Sequence, residues 1–221
     1  MYKPPFQSSS RKFISHGVYH QARLEATPQT APLAGAMDVA NRDVRTAALA
    51  VEEADGQVMR ALALRDAANS GLDDLVSAFG RALLDHFGGD RGSALYQRLL
   101  PHGVSGINAA PPATEVKLVE TLAAALAEAG LPDALRAHGP ALIAGARQLA
   151  AAIAGYEQAM RERTLKTGDL QLAKDRWLTA YTRSYGALVQ LFGSRTKAEP
   201  FFKATSTASA QDETAPAPAQ D

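Results

Sequence analysis

Ala40, Ala47, Ala54, Ala61 and Ala68 stand seven residues apart, and a second row, Met37, Val44, Val51, Val58 and Arg65, runs three positions ahead of each. The two rows form an a/d heptad seam with larger residues on one line and only alanine on the other. Such a seam predicts a long helix pressed against a partner helix, because residues at that spacing share one face. Alanine lets the two backbones approach near the lower end of the usual ~8–10 Å separation of packed helices.

The large-and-small pairing recurs twice. Leu142, Leu149 and Tyr156 run beside Gly145, Ala152 and Ala159; Leu170, Trp177, Ser184 and Leu191 run beside Ala173, Ala180 and Ala187. These rows predict long helices over about 33–69, 140–165 and 169–192. Asn69-Ser70-Gly71 reads as a helix stop, and Thr167-Gly168-Asp169 as a turn with Asp169 as N-cap. A turn that short favours an antiparallel pair. Between the first two long helices the pattern predicts shorter ones. Residues 71–87 carry Leu72, Leu75, Val76, Phe79, Leu83 and Phe87 on one face and end at Gly88-Gly89. Further pieces follow over 93–100, 114–129 (Val119, Leu122 and Leu126 inward) and 132–138, with 101–113 as a loop. The expected fold is all-α: an elongated antiparallel bundle of three long helices, with 71–138 as a short-helix head or a split fourth helix.

Composition supports this class. Alanine, the best helix former, supplies 45 of the 221 residues, and aromatics are 6%. Residues 1–32 are rich in proline and serine, with Lys3, Arg11, Lys12 and Arg23 against Glu25. They are expected as a flexible basic tail, and residues 203–221, with Lys203 against Asp212, Glu213 and Asp221, as a disordered one. The body is then 33–202. A formal net charge of zero argues against a nucleic-acid binder. The absence of cysteine excludes disulfides, zinc ribbons and cysteine nucleophiles. No apolar signal segment opens the chain, and Arg147 and Gln148 interrupt its least polar stretch, 140–156, well short of the ~20 apolar residues a spanning helix needs. A cytoplasmic protein is expected.

The residues that could carry chemistry form weak patterns. His16 and His20 have the spacing that places two imidazoles on one helical face for a metal, but Gly17 lies between them and no third ligand is near. Gly88-Gly89-Asp90-Arg91-Gly92-Ser93 precedes a helix, yet lacks the preceding strand and the lysine of a phosphate loop. Asp85, His86 and His102 have no nucleophile in context. Glu157, Glu162 and Asp169 lack the Glu-x-x-His spacing of di-iron bundles. Arg161, Arg163 and Lys166 read as a solvated basic helix end. Trp177, Tyr181 and Tyr185 share a face that is either bundle core or a docking surface. Phe201 and Phe202 either clamp the C-terminal region or form a docking motif. No catalytic, cofactor or metal residue is assigned, and no small-molecule substrate is inferred. The sequence therefore points to a non-enzymatic structural or adaptor protein acting through helix-mediated protein contacts or self-association. Trp177, Tyr181, Tyr185, Phe201 and Phe202 are its candidate interface. A membrane-active bundle and a metal-binding or enzymatic bundle are the alternatives.

Overall fold

The computed structural model describes residues 1–128 and 130–204, and among them no strand occurs. The helices are α1 (Ser10–Glu25), α2 (Ala34–His86), α3 (Ala94–Leu99), α4 (Gly103–Asn108), α5 (Pro112–Glu128), α6 (Asp133–Arg136), α7 (His138–Phe192) and α8 (Arg195–Ala198). Single 3-10 turns, Ala31–Leu33 and Glu199–Phe201, precede α2 and follow α8. Two compact units divide the chain: Met1–Glu52 with Leu165–Asp221, and Glu53–Thr164.

Two expected breaks are absent, so two long helices stand where three were expected. Residues 69–71 lie inside α2, a helix of 53 residues, and residues 167–169 lie inside α7, one of 55. Neither stretch contains proline. Asparagine, serine and glycine only disfavour a helix, glycine by ~1 kcal/mol, and packing overrides such preferences. At the first site Ala68 and Leu72 are buried on either side, and Asn69 donates to Asp73 at 3.2 Å along the helix. At the second, Lys166 and Asp169 pair one turn apart at 3.9 Å.

In the first unit, residues 1–32 are not a tail. Helix α1 buries Phe13, His16, Gly17, His20 and Leu24 on one face. These join Met37 and Val44 of α2, Trp177, Tyr181 and Leu188 of α7, and Phe201 and Phe202. The basic, serine-rich composition described the solvent face of α1 and concealed this inward row. The Thr30 hydroxyl ends the helix by donating to the Leu24 carbonyl at 2.7 Å. Leu191, expected on the inward row of α7, is 47% exposed, one residue before the helix ends. Lys203 and Ala204 are the only described residues of the expected 203–221 tail; the rest lies outside the described residues.

In the second unit α2 and α7 run antiparallel. Asp55 pairs with Arg163, the Arg65 guanidinium lies 4.9 Å from the Tyr156 ring, and Phe79 meets His138 at 5.8 Å, so partner numbers fall as α2 advances. Ala54 and Val58 of the heptad rows are buried here. The region 71–138 shares one core with these helices. Leu72, Val76, Phe79 and Leu83 pack with Leu99, Ile107, Val119, Leu122, Leu126 and Leu135 of the short helices, and with Leu142 and Leu149 of α7. Residues 103–108, expected as loop, form α4. No described helix is long and apolar enough to cross a membrane.

Candidate functional site

The five residues named as a candidate interface, Trp177, Tyr181, Tyr185, Phe201 and Phe202, lie inside the first unit. Trp177, Tyr181, Phe201 and Phe202 are buried, and Tyr185 is half-buried. They form a layered aromatic cluster: Trp177 stacks on Tyr181 at 4.4 Å, and Phe202 meets Tyr181 edge-on at 4.9 Å and Tyr185 at 5.5 Å. Phe201 packs on Phe192 at 5.6 Å. This face is covered by α1 of the same chain and by the 199–202 segment, the core and clamp arrangement open to these residues in the sequence.

Polar side chains lock this layer. The Trp177 indole N–H donates to Asn41 Oδ1 at 2.8 Å, and Asn41 Nδ2 donates to Gln21 Oε1 at 2.9 Å. His20 lies 2.9 Å from the Phe201 carbonyl through Nδ1 and 2.8 Å from Ser184 Oγ through Nε2. A carbonyl only accepts, so Nδ1 carries the proton of the neutral ring and Nε2 accepts from the serine hydroxyl. A serine activated by a histidine is the arrangement of a nucleophile and its base. Here His20 is 0% and Ser184 7% exposed, and neither lines the cleft described below. The pair acts as a clip joining α1, α7 and the 199–202 segment. Burial lowers the pKa of His20, offset in part by the Phe201 carbonyl. His16 faces the Tyr2 ring at 5.4 Å, and burial, helped by Lys203 and Lys12, lowers its pKa as well. The two histidines do share a helix face, but both His20 nitrogens are engaged. No group of three or more His, Cys, Asp or Glu gathers among the described residues.

The second unit presents an open cleft of about 890 Å³ between α2 and the α3–α4 segment. Its polar rim carries Arg81 and Arg91 with Gln97, His102 and Ser105, and Leu84, Tyr96, Leu100 and Val104 give it an apolar strip. No aspartate or glutamate lines it. Neither arginine forms an ion pair among the described residues. Two unneutralised guanidinium groups beside an apolar strip suit a ligand with carboxylates and an apolar side chain.

Local sequence explains how the cleft is built. Helix α2 ends where Gly88 and Gly89 take positive φ of 59° and 88°, and the Gly89 amide donates back to the Leu84 carbonyl at 2.9 Å. The Asp90 carboxylate then accepts from the Gly92 amide at 2.7 Å, and Ser93 caps α3 by accepting from the Tyr96 amide at 3.2 Å. This punctuation carries Arg91 over the cleft. Gly80 lets α4 close on α2: a methyl there would fall well inside contact with Val104 Cγ2.

Beside the cleft lies a feature that sequence reasoning missed. Glu115 is 0% exposed, and its carboxyl shares a hydrogen bond with that of Asp73. Burial first, then the charge of Asp73 and the hydrogen bond to it, pushes its pKa up to about 7. A signal was present. Glu115 falls at the spacing of Val119, Leu122 and Leu126, so an acid stood on the inward row of a helix already recognised as amphipathic. Of the other residues singled out, His102 and Arg91 reach the cleft, whereas Asp85, His86, Glu157 and Glu162 do not line it. Comparison with protein-family models, curated proteins and solved structures finds no match to this chain.

Proposed function

We propose that this chain is a non-enzymatic adaptor whose second unit grips an acidic segment of a partner protein. One observation carries the reading: the cleft pairs two guanidinium groups and a histidine with an apolar strip and contains no acid. An open cleft suits an extended segment better than an enclosed small molecule. Carboxylates of that segment would meet Arg81 and Arg91, and an apolar side chain would seat on Leu84, Tyr96 and Leu100. The first unit serves as a closed structural module, its serine–histidine pair acting as a clip and not as a catalyst.

Hydrogen exchange tests the reading. A synthetic peptide of alternating glutamate and leucine should slow amide exchange in residues 77–84 and 91–109 and leave the first unit unaffected. Unchanged exchange at saturating peptide, or protection confined to other segments, would contradict it.

A further inference from the structure

The α3–α4 segment faces α2 across the cleft and α5 across a second, smaller pocket of about 140 Å³. Residues 100–103 line both cavities, so only the short link from α3 to α4 separates them. Two glycines shape that link. Gly103 takes a positive φ of 67°, and at Gly106 a methyl would fall 2.5 Å from His102 Cβ. Across the pocket Leu118, Leu122 and Ala125 follow one stripe of α5, and Leu99 and Ile107 close it from α3 and α4.

The lining is apolar almost throughout. Its polar side chains are Arg98, His102 and Thr121, and the Thr121 hydroxyl donates to the Lys117 carbonyl at 2.8 Å. No acid lines the pocket, and Arg98 is exposed and forms no ion pair among the described residues. Leu118 is 38% exposed, so the apolar lining continues to the surface. A cavity of ~150 Å³ lined by apolar side chains holds one benzene molecule. This pocket therefore fits one leucine or phenylalanine side chain. Burying such a side chain is worth roughly one to two orders of magnitude in affinity, too little to hold a free ligand of that size firmly. An occupant gains more when it is joined to groups that bind next door, and the cleft offers Arg81 and Arg91 for those groups.

We propose that the pocket is the apolar anchor site of the acidic partner segment: one leucine or phenylalanine side chain enters it while carboxylates of the segment meet Arg98 and the cleft arginines. The inference rests on the cleft as the partner site and adds a specificity to it. Acids alone do not suffice; the segment needs a large apolar residue within a few positions of them, since extended chain rises ~3.3 Å per residue.

The test uses the full chain and two labelled peptides, one of alternating glutamate and leucine, the other with alanine in place of every leucine. Fluorescence anisotropy reads affinity. Isoleucine methyl resonances read occupancy, because Ile107 is the only isoleucine lining either cavity. Wild type should prefer the leucine peptide by at least about tenfold, and that peptide should move the Ile107 signal. Ala125→Leu fills the pocket at a position that does not line the cleft. It should cut the preference by at least about threefold, and Ile107 should no longer respond to the peptide. Thr121→Leu, at an exposed lining position, carries the same expectation if Ala125→Leu does not fold. Salt-sensitive binding of both peptides with an unmoved Ile107 signal, or a leucine preference undiminished in the filled variant, would overturn the anchor site and leave the cleft reading standing. Binding of neither peptide would overturn both. An Ile107 shift with free N-acetyl-leucinamide but with neither peptide would also overturn the proposal, because the pocket would then take a small apolar ligand.

Discussion

The indole N–H of Trp177 donates to the side-chain oxygen of Asn41 at 2.8 Å, joining residues 136 positions apart in the chain. Trp177 is the only tryptophan, and it lies in the first unit, so its fluorescence reports the packing of that unit. Removing the acceptor leaves a buried donor unmade, which costs ~1–3 kcal/mol. We expect Asn41→Ala to lower the unfolding free energy followed by Trp177 fluorescence by that amount. An unchanged midpoint would mean that the bond contributes nothing to the unit.

Gly17 gives a sharper case, because two rules give opposite signs. Replacing a mid-helix glycine by alanine ordinarily stabilises by ~1 kcal/mol. At this position a methyl would collide with Asn41 Oδ1 and lie 2.9 Å from Trp177 Nε1. We expect the collision to win, with a net loss of ~1–3 kcal/mol in the same fluorescence assay. A stabilised Gly17→Ala protein would show that α1 does not approach α2 and α7 this closely.

The His20 clip makes the first unit sensitive to acid. Its folded pKa is lowered by burial, so the native ring stays neutral while the unfolded ring takes a proton as pH falls below about 6.5. The unit is therefore at full stability above that value and loses stability as pH falls towards the lowered folded pKa. His16, lowered for the same chief reason, acts in the same direction. Denaturation midpoints at pH 7.5 and pH 5 should drop on acidification, and His20→Gln should flatten the drop. A wild-type midpoint independent of pH over that range would contradict the burial of both rings.

Glycines of the second unit should differ by what their new methyl meets. At Gly80 it meets Val104, a β-branched side chain with little freedom to turn; at Gly145 it meets the ends of Leu75 and Leu72 at 2.8 and 3.1 Å. Leucine ends can swing aside. Gly80→Ala should cost ~1–3 kcal/mol and weaken acidic-peptide binding by displacing α4, whereas Gly145→Ala should cost less and leave binding intact. Circular-dichroism melts with peptide titrations check both; equal effects would place the cleft wall elsewhere.

Helical class and the inward rows were legible because periodicity needs only local residues. Leu72, Val76, Phe79, Leu83, Val119, Leu122, Leu126, Leu142 and Leu149 are core, as their spacing implied. Helix ends were less legible. Asn69-Ser70-Gly71 carries a stop preference worth about 1 kcal/mol, too small to oppose an apolar face that continues through Ala68 and Leu72, and Thr167-Gly168-Asp169 lies in a largely exposed, proline-free stretch of α7. Helix α1 was missed because proline, serine and basic residues dominate its surroundings, while Phe13, Gly17, His20 and Leu24 make an inward row of mixed chemistry. The aromatic face around Trp177 was visible as a face, but α1, which covers much of it, lies more than 150 positions upstream. The cleft was illegible for a related reason. Arg81 and Arg91 belong to segments separated by a glycine turn, and only that turn's geometry brings them to one rim.

The most direct test of the central claim is a fluorescence-anisotropy titration of a labelled glutamate–leucine peptide, at low and high salt, against wild type and the Arg81→Glu/Arg91→Glu double variant. We expect salt-sensitive binding to wild type and at least a tenfold loss in the variant, each reversed contact being worth on the order of 1 kcal/mol. Equal affinity for both proteins, or affinity indifferent to salt, would contradict the assignment of the cleft as the partner-binding site.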